Sequence, residues 1–218
     1  MSHAAKDPAR QSGEVEAASA EKYLQKLSGL FSRLPYQAIE GIAQAIFQAA
    51  GEERTIFVFG NGGSAASASH MMCDLNKGTT EPEPGRRLRV MALTDNVPLL
   101  TAWANDFAYD RVFSEQLKNF VRTGDVAFAI SASGNSPNVL VALETARANG
   151  ALTLGLTGHQ GGKMKAMCDI CAVVPSDNAQ MIEDIHHAIL HSIFTVVRKR
   201  IRAGKVGAMT AAGGQSSG

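Results

Sequence analysis

Short apolar runs alternate with amphipathic stretches over most of the chain. Five runs rich in β-branched, aromatic or small apolar residues predict buried strands at 55–59, 89–93, 125–130, 151–156 and 170–174. Between and after them, stretches with helical periodicity predict helices at 64–76, 106–122, 136–149, 161–167 and 179–202. This alternation predicts parallel strands joined by right-handed crossovers, which is an α/β three-layer sandwich.

Helical periodicity also covers residues 18–50, and Pro35 divides that segment into two helices. Their apolar faces are wider than one sheet covers, so we expect them to pack against a second subunit. The predicted organisation is a disordered tail over residues 1–17, a single domain over 18–202 with its α/β core at 54–202, and a flexible tail over 203–218.

The composition of the chain limits the classes of protein to which it can belong. The 218 residues are 45% hydrophobic, which is enough for one sizeable core, and a formal charge of +1 favours no nucleic-acid partner. We find no apolar run of membrane-spanning length and no signal-peptide core, so no membrane partner is expected. Three cysteines do not make a disulfide framework and predict a reducing, cytoplasmic location.

The first strand is followed by a glycine-rich turn, Gly60-Asn-Gly-Gly-Ser64, and an alanine-rich helix. Ser64 is a suitable N-cap residue, and the exposed N–H groups of such a turn predict an anion site at the positive end of the helix. The turn also fits a permissive dinucleotide fingerprint, Gly60-x-Gly62-x-x-Ala65. That fingerprint requires an acidic residue about 20 positions later. Asp95 comes too late, so a phosphate is favoured over a dinucleotide.

The third strand ends in a second polar turn, Ser131-Ala-Ser-Gly-Asn-Ser-Pro-Asn138. Three hydroxyl groups, a glycine and a proline in the first helical turn predict another anion-binding helix N-terminus. A single turn of this kind would be interpreted as a hydroxyl-rich helix cap. Two of them at strand ends favour a shared phosphate.

Together these motifs resemble a known family. Gly-Asn-Gly-Gly-Ser with a downstream histidine, then Ser-x-Ser-Gly-x-Ser-x-Asn, resembles the sugar isomerase (SIS) domain family, which binds phosphosugars. Over about residues 20–200 the chain looks most like its bacterial phosphoheptose isomerases. The resemblance implies a five-stranded parallel, flavodoxin-like sheet, and a homotetramer with sites at subunit interfaces. It also implies one zinc or other divalent metal ion per subunit.

The resemblance also implies which residues contact the phosphosugar. It assigns the phosphate to the four serines of the two turns, and the sugar to neighbouring amides, glycines and acids. The implied substrate-binding residues are Asn61, Gly62, Gly63, Ser64, Asn96, Asn105, Asp106, Ser131, Ser133, Gly134, Asn135, Ser136, Asn138 and Glu183.

A metal and acid/base set follows from the same resemblance. Family members carry His-x-x-x-Glu where this chain has His70-x-x-x-Asp74, and a late helix with Gln and a second His where this chain has Glu183 and His191. Helical spacing places residues 183, 187 and 191 near one face, so these four side chains are expected to converge on one ion. Asp74 and His191 are the expected catalytic base and its proton-transfer partner. Whether His187 is also a ligand stays open.

Several departures from the family pattern leave the substrate open. Asp74 is one methylene shorter than Glu, Glu183 adds a negative charge, and Ala132 replaces a threonine. The expected function is conversion of sedoheptulose 7-phosphate to D-glycero-D-manno-heptose 7-phosphate in nucleotide-heptose biosynthesis. The alternatives are an enzyme acting on another sugar phosphate, or a non-catalytic SIS module that binds a phosphosugar or a protein. Retention of His70, an acid at 74 and His191 favours an enzyme.

One further motif is Cys168-x-x-Cys171. It could be a redox or metal pair, but it spans a predicted helix end and a buried strand, and the chain has no second pair. These features favour two small core residues.

Overall fold

The computed structural model describes residues 19–80 and 87–203. The tail predicted over residues 1–17, and residues 204–218 of the other tail, lie outside the described residues. The described residues form one α/β unit, with helices on both faces of a parallel sheet.

Five parallel strands form the sheet in the order β2-β1-β3-β4-β5, which confirms the predicted fold class. The order reverses between β1 and β3, so their carboxyl ends flank the crevice where ligands bind in such sheets. The strands are β1 Thr55–Gly60, β2 Arg89–Ala92, β3 Val126–Ser131, β4 Leu152–Thr157 and β5 Ile170–Val173.

Eight α-helices accompany the strands in the described residues. They are α1 Ala20–Phe31, α2 Tyr36–Gly51, α3 Gly63–Gly78, α4 Val97–Asp106, α5 Ser114–Phe120, α6 Pro137–Ala148, α7 Met164–Met167 and α8 Ala179–Arg202. Helices α2, α3 and α8 cover one face of the sheet, while α5, α6 and α7 cover the other. Among the described residues, no helix combines the length and apolar content needed to cross a membrane.

Burial along β1 shows why the sequences of the strands are almost continuously apolar. Ile56 and Val58 belong to the core beneath α2 and α8, whereas Phe57 and Phe59 belong to the core beneath α5 and α6. Successive strand residues point to opposite faces, and both faces are covered, so every position must be apolar.

The single helix predicted over 106–122 is wrong. The chain instead forms α4, a 3₁₀ turn at Tyr109–Arg111 and then α5, because Phe107 leaves the helical region at φ −129°, ψ −93°. Asn96 caps α4 by accepting a hydrogen bond from the Leu99 N–H, and Pro98 lies in its first turn. The helix predicted over 161–167 is also shorter, since Gly161 and Gly162 have positive φ.

Candidate functional site

The first glycine turn joins β1 to α3 at the switch point of the sheet. Gly62 has φ +55°, which lets the chain reverse and begin α3 at Gly63. Ser64 therefore lies in the first turn of the helix and does not cap it, contrary to the prediction. Its side chain is largely buried, and its N–H donates to the Asn61 carbonyl at 3.0 Å.

The second turn joins β3 to α6. Ser136 occupies the N-cap position without a side-chain cap bond, and its hydroxyl lies 3.4 Å from that of Ser131. Gly134 has φ +64°, and a Cβ there would overlap the Gly161 carbonyl. Two of the three predicted hydroxyl groups are thus adjacent at the N-terminus of a 12-residue helix, where anions bind readily, while the exposed Ser133 hydroxyl accepts from the Asn135 N–H at 3.2 Å.

Asparagines connect these loops to each other and to their surroundings. Asn61 and Asn138 exchange two side-chain hydrogen bonds across the crevice. Asn135 accepts from the Lys163 N–H at 3.0 Å, which ties the β3–α6 turn to the segment before α7. The amides of all three residues therefore position the loops. Asn105 and Asp106 bond to each other at the exposed end of α4.

Helices α3 and α8 run side by side, and their facing residues meet in sequence order. A Cβ at Gly63 would overlap the Glu183 carboxylate, the Ser67 hydroxyl contacts His187, and His70 contacts His191. Both helices start at the carboxyl edge of the sheet, so their facing residues form three successive layers. Counted from the N-termini of the two helices, the inner layer is Gly63 with Glu183, the middle layer is Ser67 with His187, and the outer layer is His70 and Asp74 with His191.

The outer layer contains a candidate metal centre. His70 Nε2 lies 3.2 Å from His191 Nε2, and Asp74 Oδ2 lies 3.5 and 3.8 Å from these two nitrogens. One donor atom from each residue falls within 4.8 Å of the others. Two imidazoles and a carboxylate at this spacing can converge on one divalent cation. Three of the four predicted ligands are thus brought together.

Glu183 does not join this group. It lies in the inner layer, two turns of α8 before His191, which corresponds to roughly 12 Å along the helix axis. The structure therefore does not assemble the predicted set of four ligands. Because α3 and α8 run in the same direction, Glu183 is level with the start of α3 and the anion-binding turn, and His191 is level with His70.

His187 occupies the middle layer, next to the group. Its Nδ1 lies 3.1 Å from the Ser67 hydroxyl, and its ring centroid lies 5.3 Å from that of His70 and 5.9 Å from that of His191. The Ser67 hydroxyl donates to the Gly63 carbonyl at 3.1 Å, so we expect its lone pair to accept from His187 Nδ1–H. Ser67 was not predicted from the sequence, although it lies about one helical turn from both Ser64 and His70.

His186 points the other way, into the core. It is 1% exposed, and neither ring nitrogen makes a hydrogen bond of normal geometry. Burial lowers its pKa to about 4; the nearby Thr157 backbone offsets this in part, and His187 adds a small lowering. It is therefore neutral at physiological pH and separate from the site.

Tyr109 is a second site residue that was not predicted from the sequence. Its hydroxyl donates to Asn61 Oδ1 at 3.0 Å from the 3₁₀ turn between α4 and α5. Because that turn was predicted as continuous helix, no signal in the sequence indicated that Tyr109 would reach the first loop.

Comparison with known proteins places this geometry in a family. The model of the SIS domain matches residues 22–158. A probable phosphoheptose isomerase of Thermoplasma acidophilum is 36% identical over 181 residues, covering 83% of this chain and 98% of that protein. The phosphoheptose isomerase of Rhodospirillum rubrum is 42% identical over 160 residues, covering 72% of this chain and 81% of that protein.

Solved structures agree with the sequence relatives. A phosphoheptose isomerase from Neisseria gonorrhoeae superposes with a TM-score of 0.76 at 29% identity, over 82% of this chain and 96% of the other. One from Francisella tularensis gives 0.77 at 28% identity with the same coverage. The chain therefore belongs to the SIS domain family and, within it, to the phosphoheptose isomerases.

Proposed function

We propose that this protein is an aldose–ketose isomerase that converts sedoheptulose 7-phosphate to D-glycero-D-manno-heptose 7-phosphate for nucleotide-heptose biosynthesis. The observation that carries the proposal is the layered arrangement along α3, with a glycine turn at its N-terminus and the His70, Asp74 and His191 group two to three turns further along. With a phosphate bound at the turn, a group suited to proton transfer would lie at a fixed distance from it.

The distance suits a seven-carbon substrate. Gly63 and His70 are seven residues apart on α3, which corresponds to about 10 Å along its axis. At the bond lengths and angles of an extended chain, seven carbons with a terminal phosphate also span about 10 Å. A heptulose phosphate held by the serine turns would thus bring C1 and C2 beside the outer layer.

The phosphate would be held by Ser64, Ser131, Ser133 and Ser136 at the N-termini of α3 and α6. Helix N-termini offer free N–H groups and a positive dipole end to an anion. Binding energy at this end orients the reacting carbons at the other, so phosphate contacts contribute to turnover as well as to affinity.

The reaction moves a proton between C1 and C2. It requires a base for a carbon-bound proton, an acid for the oxygens and stabilisation of the enediolate charge. We assign the base to Asp74 and proton exchange with the oxygens to His191, whose Nε2 lies 3.8 Å from the Asp74 carboxylate. We assign Glu183, which lies beside Gly63, to the substrate-binding residues near the first turn.

A metal ion fits the same group, because two imidazoles and a carboxylate are suitable ligands for zinc or another divalent cation. His70, Asp74 and His191 would hold one ion per subunit. When bound, it would polarise the substrate oxygens at C1 and C2.

Self-association to a homotetramer is part of the proposal. An apolar groove of about 580 Å³ runs between α2 and α8, lined by Phe31, Leu34, Ile39, Ile193 and Val196 among others. Tyr36 in this groove and Leu24 on α1 are both 59% exposed, and α4 has no buried residue. A second copy covering these surfaces would remove apolar area from water.

The three free cysteines fit a reducing cytoplasm.

The function is tested with a panel of ketose phosphates assayed before and after treatment with a chelator. We expect sedoheptulose 7-phosphate to be isomerised faster than fructose 6-phosphate, and the chelator to abolish the activity until a divalent metal is restored. Turnover of the hexose alone would favour an enzyme for another sugar phosphate. Phosphosugar binding without metal or turnover would favour a non-catalytic SIS module.

A site variant and a control variant test which serine binds the phosphate. Ser136→Ala removes the hydroxyl at the N-terminus of α6, whereas Thr123→Val removes an exposed hydroxyl in the loop before β3 that bonds to the Asn149 carbonyl. We expect the first variant to raise KM and the second to leave KM unchanged. Equal KM values for both would overturn the assignment of Ser136.

A further inference from the structure

Two of the three cysteines are held together at the edge of the sheet. Cys168 ends α7 and Cys171 lies in the edge strand β5, and both are free thiols. Cys171 pairs with Gly155 of β4, and a Cβ at Gly155 would lie 2.7 Å from Cys168 Sγ and 2.9 Å from Cys171 Sγ. Both sulfurs therefore share the space that a side chain at position 155 would fill.

The surroundings of the two thiols affect their pKa values in opposite directions. The neighbouring Cys168 thiol and, to a smaller extent, the Lys165 ammonium lower the pKa of Cys171, against the opposing effect of burial. The interaction with Cys171, with burial, raises the pKa of Cys168. Neither residue is fully buried, and β5 has a neighbouring strand on one side only among the described residues. Cys171 is thus the attacking sulfur and Cys168 its adjacent partner.

We propose that Cys168 and Cys171 form a reversible disulfide site that reacts with low-molecular-weight disulfides such as oxidised glutathione. The Cys171 thiolate attacks one glutathione sulfur, the glutathione S–S bond breaks, and one glutathione leaves as a thiolate. Cys168 then loses its proton, attacks the Cys171 sulfur and releases the second glutathione. Two protein thiols lose two electrons and two protons, and one glutathione disulfide becomes two thiols.

The disulfide site is linked to the β3–α6 turn through α7. The Cys168 N–H donates to the Met164 carbonyl at 3.1 Å, and the Met164 N–H donates to the Gly134 carbonyl at 3.0 Å. The Lys163 N–H also reaches the Asn135 side chain of the same turn. A covalent bond at the end of this one-turn helix would therefore shift the turn. This consequence, which rests on the proposed function, predicts that oxidation raises KM for the sugar phosphate.

The site is tested on the folded, full-length protein in buffers of graded oxidised-to-reduced glutathione ratio, followed by alkylation and peptide mass mapping. We expect a Cys168–Cys171 disulfide that dithiothreitol reverses, while the exposed Cys73 forms no intramolecular bond. In a Cys73→Ser background, Cys168→Ser should accumulate a glutathione adduct on Cys171, and Cys171→Ser should react at least tenfold more slowly. Equal adduct rates, or full alkylation of both cysteines in the most oxidising buffer, would overturn the site.

The link to the turn is measured separately, by assaying Cys73→Ser before and after oxidation. A disulfide that forms without any rise in KM would overturn the link. If the reduced protein shows no turnover at all, the proposed function fails, but the disulfide mapping is unaffected. The two failures are therefore distinguishable.

Discussion

Asn61 and Asn138 exchange two side-chain amide hydrogen bonds, 2.9 and 2.8 Å long, although 77 residues separate them. Asn138 is 2% exposed, and its Oδ1 also accepts from the Val139 N–H at 3.0 Å. The pair joins the turn after β1 to the first turn of α6. The two halves of the proposed phosphate site are therefore held as one unit.

Replacing Asn138 by alanine should destabilise the protein and loosen the site. The variant leaves the Asn61 amide without its buried partner, so we expect a loss of about 1–3 kcal/mol in the free energy of unfolding. Denaturant titration measures this loss, and KM for the sugar phosphate should rise. Asn149→Ala is the control, because its exposed side-chain amide bonds only to the Thr145 carbonyl. Equal losses in both variants would contradict the role of the pair.

A second prediction compares two glycines. Gly134 has φ +64° and faces the Gly161 carbonyl, whereas Gly29 lies in helix α1 with open space at its Cβ position. Gly134→Ala should cost about 1–2 kcal/mol for the left-handed conformation alone, and more for the overlap. Gly29→Ala should stabilise by about 0.5–1 kcal/mol. Thermal melts should show shifts of opposite sign, and a neutral Gly134→Ala would contradict the tight turn.

The sequence predicted the sheet well because its strands are covered on both faces. All six residues of β3 are buried, so the apolar run is continuous and unambiguous. Helix α4 was missed for a different reason, because it buries no residue and an apolar pattern there does not indicate which side packs. The capping Asn96 and the following Pro98 were signals of α4 that the periodicity argument passed over.

The candidate site was predictable where it depends on local spacing. His70 and Asp74 lie four residues apart on one helix, so their contact follows from helical geometry. The position of Glu183 depends on the offset between α8 and α3 along their axes. Tertiary packing sets this offset, so it cannot be deduced from spacing within one helix. Asn61, Asn135 and Asn138 were expected at the sugar, but their pairing across loops could not be deduced from spacing.

Stability should decrease with acid because of His186. Its pKa is lowered from 6.5 to about 4 in the folded protein, mainly by burial, so the unfolded chain binds more protons between these values. His186 therefore does not lower the free energy of unfolding above pH 6.5. As pH falls from 6.5 to about 4, the free energy of unfolding decreases by up to about 3 kcal/mol. Free energies of unfolding across this range measure the effect.

The matched variants for His186 are His186→Leu and His159→Asn. The first removes the buried imidazole, so its stability should depend less on pH between 6.5 and 4. The second replaces a half-buried histidine at φ +51° with a residue that tolerates that conformation, and should keep the wild-type slope. A His186→Leu protein with an unchanged slope would show that other groups cause the acid sensitivity.

Glu183→Gln should strengthen binding of the sugar phosphate. The carboxylate lies beside the first residue of α3, close to the proposed phosphate site, and repels a second anion. Removing one charge at this range should be worth about 1 kcal/mol, or about a fivefold lower KM. Glu144→Gln, on the exposed side of α6, should leave KM unchanged. A higher KM for Glu183→Gln would instead mean that the substrate requires the carboxylate.

The most direct test of the central claim is isomerisation of sedoheptulose 7-phosphate in D₂O, followed by NMR, with phosphosugar binding measured in parallel by calorimetry. We predict that the wild-type protein forms an aldoheptose 7-phosphate with deuterium at C2. Asp74→Asn should bind the sugar phosphate but turn over about 10²–10⁴-fold more slowly. His159→Asn should match the wild type. Wild-type protein that holds a divalent metal and binds the heptulose phosphate, yet forms no aldoheptose 7-phosphate, would contradict the account.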